Sequence, residues 1–168
     1  MKRLIATALI LMASPAYAQS APDGFELPQG PLKVISGSAK TAFFLSVDQT
    51  RVENGKAQVL IFSVWEPALV IKEKAVVQMV GRRSLDCKSR SFQDLGEVSY
   101  DEAGRVLIST IPPKDYVPPA EPLTPRHMMS FVAEMVCDSR GGNMPTFVGH
   151  NEALRAGQAA LRAQQQAK

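Results

Sequence analysis

The stretch TAFFLSVDQTRVENGKAQVLIFSVW, residues 41–65, decides the fold. Its first half is rich in β-branched and aromatic residues and ends in polar ones. Asn54-Gly55 then supplies the strongest short hairpin signal, because both residues tolerate positive φ. In the returning strand Val59, Ile61, Ser63 and Trp65 fall on one face and Leu60, Phe62 and Val64 on the other. Both faces are largely apolar, so this strand belongs in the middle of a sheet covered on two sides. Trp65, at the end of an apolar run, reads as a core anchor rather than an exposed binding aromatic.

Downstream, residues 75–87 (AVVQMVGRRSLDC) read as a third strand kinked at Gly81, residues 90–100 as a fourth, and residues 105–110 as a short fifth after a turn at Asp101–Gly104. Residues 111–126 carry six prolines, which exclude an element that needs backbone donors. Thr124 is the expected N-cap of a helix with Pro125 at its first position; Met128, Phe131, Val132, Met135 and Val136 then share one face. That helix would lay Cys137 against the sheet near Cys87. Gly141-Gly142 ends it. Residues 149–168 form a second helical candidate, capped by Asn151, with only Leu154, Ala160 and Leu161 as an apolar stripe. So thin a stripe favours a solvated, fraying tail over a partner-binding helix.

Upstream, residues 19–33 carry three prolines and two glycines and read as an extended, weakly ordered lead-in, with order beginning near Lys40. Residues 1–18 have Lys2 and Arg3, an apolar run from Leu4 to Ala13, and Ala16-Tyr17-Ala18. That is the pattern of a secretory signal cleaved after Ala18. No cysteine follows the cleavage point for lipid attachment, and no later apolar segment reaches the length of a membrane span. The expected organisation is therefore a signal (1–18), a lead-in (19–39), one domain (40–138) and a helical tail (139–168). The fold class is α+β, an antiparallel sheet of about five to six strands packed with a C-terminal helix.

The whole chain has 19 basic and 16 acidic residues; without Lys2 and Arg3 the balance is 17 to 16. A near-neutral mature protein gives no electrostatic footprint for nucleic acid. Arg82, Arg83, Lys88 and Arg90 form the one dense basic cluster, interrupted by Asp86. They are the candidate partner-binding residues, with a solvated face as the plainer reading.

Two cysteines in an exported chain, without CxxC spacing, point to a single structural disulfide between Cys87 and Cys137. Chain-entropy reasoning assigns such a bridge roughly 4 kcal/mol. A zinc site wants four close ligands, whereas Cys87, His127, Cys137 and His150 are scattered. No metal or cofactor is expected. A catalytic Cys87–His127 pair stays open, since such pairs meet in space rather than along the chain. Asp86 reads as a strand-end carboxylate paired with Arg83 or Lys88. GxSxG, HExxH, P-loop and GxGxxG motifs are absent from the sequence.

Together these residues make a pattern that resembles the surface-adhesin protein E family of small exported bacterial proteins. The resemblance runs through Phe44, Asp48, Arg51, Gly55 and Trp65; through Asp86-Cys87 followed by Lys88 and Arg90; through Tyr100, Gly104 and Val106; and through Tyr116–Pro119 and Cys137. It covers residues 40–138. Tyr116 stands where a tryptophan is expected, and the residues after Cys137 lie outside the pattern. The resemblance implies an antiparallel sheet packed with helix and tied by the disulfide, and named members of the family bind host extracellular-matrix or serum proteins. The expected function is a non-enzymatic exported protein, periplasmic or secreted, with an adhesin-like binding domain for a protein partner in the envelope or outside the cell. The alternative is a small periplasmic hydrolase or thiol enzyme using Cys87 with His127. The sequence carries no signal for an oligomeric state.

Overall fold

The computed structural model describes residues 20–140 and 142–167. The signal expected at residues 1–18 lies outside them. The described chain runs β1 (Pro31–Gly37), β2 (Thr41–Ser46), β3 (Arg51–Glu53), β4 (Lys56–Ile71), β5 (Lys74–Asp86), β6 (Ser91–Tyr100), β7 (Val106–Ser109), β8 (Glu121–Pro122), α1 (Met128–Val136), β9 (Thr146–Val148) and α2 (Gly149–Gln166). The strands form one antiparallel sheet in the order β7-β6-β5-β4-β2-β1-β9, with β3 pairing β4 and β8 pairing β6.

The hairpin turns where the sequence places it. Asn54 and Gly55 have φ of 51° and 76°, the two positive values that let β3 reverse into β4 without splaying the pair. β4 is central, and its alternation sorts the core into two layers. Leu60, Phe62 and Val64 join Phe44, Val80, Val98 and Tyr100 beneath Ala153 and Leu154 of α2. Ala57, Val59 and Ile61 join Leu45, Leu85 and Phe92 beneath Met129, Val132 and Ala133 of α1. The α+β expectation holds, in a three-layer form with one helix on each face of the sheet.

Several local expectations change. The sheet has nine strands among the described residues, because β1 and β9 join it from outside the 40–138 segment and the short β3 and β8 add pairs within it. Order does not begin near Lys40: β1 lies in the expected lead-in and pairs with both β2 and β9. The Pro/Gly punctuation hid a strand whose Leu32 and Ile35 are buried. Gly81 pairs with Ile61 on one side and Glu97 on the other without a slip; the register shifts one residue later, where Arg82 and Arg83 face Gly96 and Asp94. The irregularity is therefore in β6, whose extra residue is Leu95.

Helix α1 starts later than expected. Arg126 takes a left-handed φ of 69°, which breaks helical continuity from Thr124, and His127 is the N-cap, its Nδ1 accepting from the Met129 N–H at 3.2 Å. The Thr124 carbonyl instead accepts from the Ser130 hydroxyl at 2.6 Å.

Asn151 does not cap α2. Val148 is the cap residue, and its N–H donates to the Glu152 carboxylate at 2.6 Å. Nor is α2 a solvated tail. Ala153, Leu154, Gly157 and Leu161 are buried, while Ala160 faces solvent. Its stripe looked thin because Gly157 belongs to it: a Cβ there would stand 3.3 Å from Val64 and 3.4 Å from Phe44. The helix backbone rests directly on the sheet.

Candidate binding surface

Cys87 follows β5, and Cys137 is the C-cap of α1. Their Cα atoms are 5.6 Å apart and the sulfurs are bonded. The bridge fastens α1 to the end of the β4–β5 hairpin, where the Cys87 N–H also donates to the Gly55 carbonyl at 2.9 Å. Neither cysteine is a free thiol. A sulfur in a disulfide is not a nucleophile, so the Cys87–His127 enzyme is corrected. His127 is accounted for by its cap and by stacking on Phe92, with ring centroids 5.1 Å apart and planes at 21°.

Asp86 pairs with neither Arg83 nor Lys88. Its Oδ1 accepts the backbone N–H groups of Lys88 and Ser89, each at 2.9 Å, and fixes the turn that delivers Cys87. The Ser89 amide, helped by the Lys88 amide, the Ser89 hydroxyl and the Lys56 charge, holds the Asp86 carboxyl below its ordinary range against the opposing effect of desolvation.

The four basic candidates do not gather into one patch, because adjacent strand residues point to opposite faces. Arg82 lies on the α2 side, 5.9 Å from the Phe25 ring centroid, and donates to the Gly24 carbonyl. Arg83 lies on the α1 side with its side chain only 13% exposed, 2.8 Å from Asp94 and 3.5 Å from Glu97. Arg90 pairs with Asp138 at 3.2 Å across the disulfide end, and Lys88 is exposed beside it. Lys88 and Arg90 are thus the members that present charge outward.

Trp65 is half-buried, and its indole N–H has no partner among the described groups. It lines a trough of about 330 Å³ on the α1 face with Phe43, Ile61, Met79 and Met128.

A second cleft, of about 360 Å³, opens under the C-terminal end of α1. Leu45, Val47, Val52, Met135 and Val136 supply its apolar lining, Thr50, Ser139 and Gly142 its neutral remainder, and Lys33 and Arg140 its charge. No sequence signal joins these residues. Lys33 sits in the segment expected to be a lead-in and Arg140 in the expected helix break, more than 100 positions apart. Only the return of β1 beside β2 brings them together.

Among the described residues, no group of three His, Cys, Asp or Glu side chains is placed to hold a metal ion, and no helix is long and apolar enough to cross a membrane.

Comparison of the whole fold with solved structures finds crystal form II of Haemophilus influenzae protein E, with a TM-score of 0.50 at 15% identity over 74% of this chain and 98% of that one. The chain has a protein E-like fold. A further structure of Haemophilus influenzae protein E matches with a TM-score of 0.49 at 17% identity, over 74% of this chain and 94% of that one. At such identities the protein E likeness is one of architecture. No family model matches the chain, and no curated protein matches it in sequence.

Proposed function

We propose that this protein is a non-enzymatic, exported envelope protein with an adhesin-like domain that binds an extracellular protein. Residues 1–18 direct export, and the disulfide-tied sheet is the binding module. The observation that carries the reading is the protein E-like fold, and the closed Cys87–Cys137 bridge suits an oxidising compartment. Within the basic cluster, Lys88 and Arg90 at the disulfide end supply the contact for an acidic partner, since both are exposed, Arg90 as one half of its surface pair with Asp138, whereas Arg82 and Arg83 are partly buried.

The test is binding of the purified protein to a panel of immobilised extracellular-matrix and serum proteins, measured across ionic strength and repeated with the Lys88→Glu, Arg90→Glu double variant. Saturable binding that weakens steeply with salt and is lost in the variant is the expected result. Saturable binding that ignores both salt and the variant removes Lys88 and Arg90 from the contact. No saturable binding to any panel member removes the adhesin-like role.

A further inference from the structure

The cleft under the end of α1 is lined by apolar side chains, by two cations and by the neutral residues Thr50, Ser139 and Gly142. Its apolar residues are Leu45, Val47, Val52, Met135 and Val136. Its two cations are Lys33 and Arg140, neither of which makes an ion pair among the described residues. No carboxylate lines it. Of the carbonyls that end α1, that of Ala133 accepts from the N–H of Cys137 and of Asp138, and that of Glu134 accepts from the N–H of Arg140.

The apolar surface also continues past the cleft. A smaller hollow, lined by Ile35, Phe131, Glu134, Met135, Arg140 and Met144, shares Met135 and Arg140 with it. Val47, Val52, Phe131 and Met144 are 40%, 53%, 39% and 42% exposed, so four of the chain's large exposed apolar residues border these two adjoining hollows. Concentrated apolar exposure marks a binding site, and a mostly apolar concavity with a few polar groups is the ordinary form of a small-molecule site.

We propose that this cleft binds a single-chain amphiphile with an anionic carboxylate head, a free fatty acid in chemical class. The carboxylate sits between Lys33 and Arg140, and the chain lies over Leu45, Val47 and Val52 toward Met135. Carboxylate-to-cation hydrogen bonds are stronger than neutral ones, and each methylene taken from water adds a roughly constant increment. The site is independent of the extracellular-partner reading, which places its contact at Lys88 and Arg90.

The experiment uses the disulfide-bonded protein with methyl-labelled methionine and monomeric dodecanoate, kept below its micelle threshold, followed by NMR. The Met135 and Met144 methyls should shift in a saturable way while Met79, in the trough by Trp65, stays still. Across octanoate, decanoate and dodecanoate, affinity should rise about fourfold per methylene, the factor equivalent to burying one CH₂. Dodecyltrimethylammonium should bind at least tenfold more weakly than dodecanoate. The Lys33→Glu, Arg140→Glu double variant should reverse that preference with an unchanged unfolding transition. Equal affinity for the two head groups, a shift at Met79 instead of Met135, or no saturable shift would overturn the proposal. Binding to phosphatidylglycerol vesicles with no response to monomeric dodecanoate would equally overturn it and assign the cleft to a membrane surface.

Discussion

Opening the Cys87–Cys137 bridge should remove a large share of this protein's stability. The two residues are 50 apart in sequence. In the chain-entropy account, closing a loop of that size removes about 14 cal/mol/K from the unfolded chain, or about 4 kcal/mol at 25 °C. The bridge also holds the C-cap of α1 to the end of the β4–β5 hairpin, so the native state gives up a helix anchor as well. With a urea slope of about 2 kcal/mol/M, usual for a domain of this size, the midpoint should fall by about 2 M. The assay is equilibrium urea unfolding of the Cys87→Ser, Cys137→Ser and double variants beside the parent. All three should lose a similar amount, because each removes the same bridge. Unequal single losses, with the double variant no worse than the milder single, would refute the shared bridge; a loss below about 1 kcal/mol in all three would refute the loop-closure reasoning.

Other consequences follow from named contacts. Gly157→Leu puts a side chain where a Cβ already stands 3.3 Å from Val64; it should destabilise by about 1–3 kcal/mol through overpacking, read as a lower thermal midpoint, and an unchanged midpoint would show that α2 does not rest on the sheet. His127→Ala removes the acceptor for the Met129 N–H and should cost about 1 kcal/mol, measured by denaturant unfolding. His127→Asn, which restores a cap acceptor, should recover most of that loss. Tyr100 is buried and donates to the Phe25 carbonyl, and burial, with the Glu26 charge adding to it, pushes its phenol from 10.0 up to about 12. Its folded pKa is raised, so its contribution is complete below pH 10 and fades as pH climbs toward 12. Alkaline unfolding should therefore be less steep in Tyr100→Phe, and an identical alkaline limb would contradict the assignment.

The centre of the fold was legible because β4 states its own environment. A run apolar on both faces and led in by Asn54-Gly55 has few alternatives to a central strand in a hairpin. The disulfide was legible for a different reason, since two cysteines leave one pairing. The margins were harder. Around β1, prolines and glycines punctuate a segment whose second neighbour in the sheet is β9, a partner more than 100 residues away. In α2 the decisive position is a glycine, which contributes to packing by having no side chain and so is invisible to a count of apolar residues. The basic cluster misled through sequence proximity: Arg82 and Arg83 are neighbours in the chain and face opposite layers. His127 carried a capping role that propensity assigns first to Thr, Ser, Asp or Asn. The Lys33–Arg140 cleft had no local signature at all, being assembled by topology.

The central claim is that this domain is presented where an extracellular protein can touch it. It is tested most directly by probing intact cells, and cells with a permeabilised outer membrane, with an antibody or a protease directed at the protein. The account predicts detection on intact cells at a level that permeabilisation raises little. Detection only after permeabilisation would confine the protein to the periplasm and contradict an adhesin-like role.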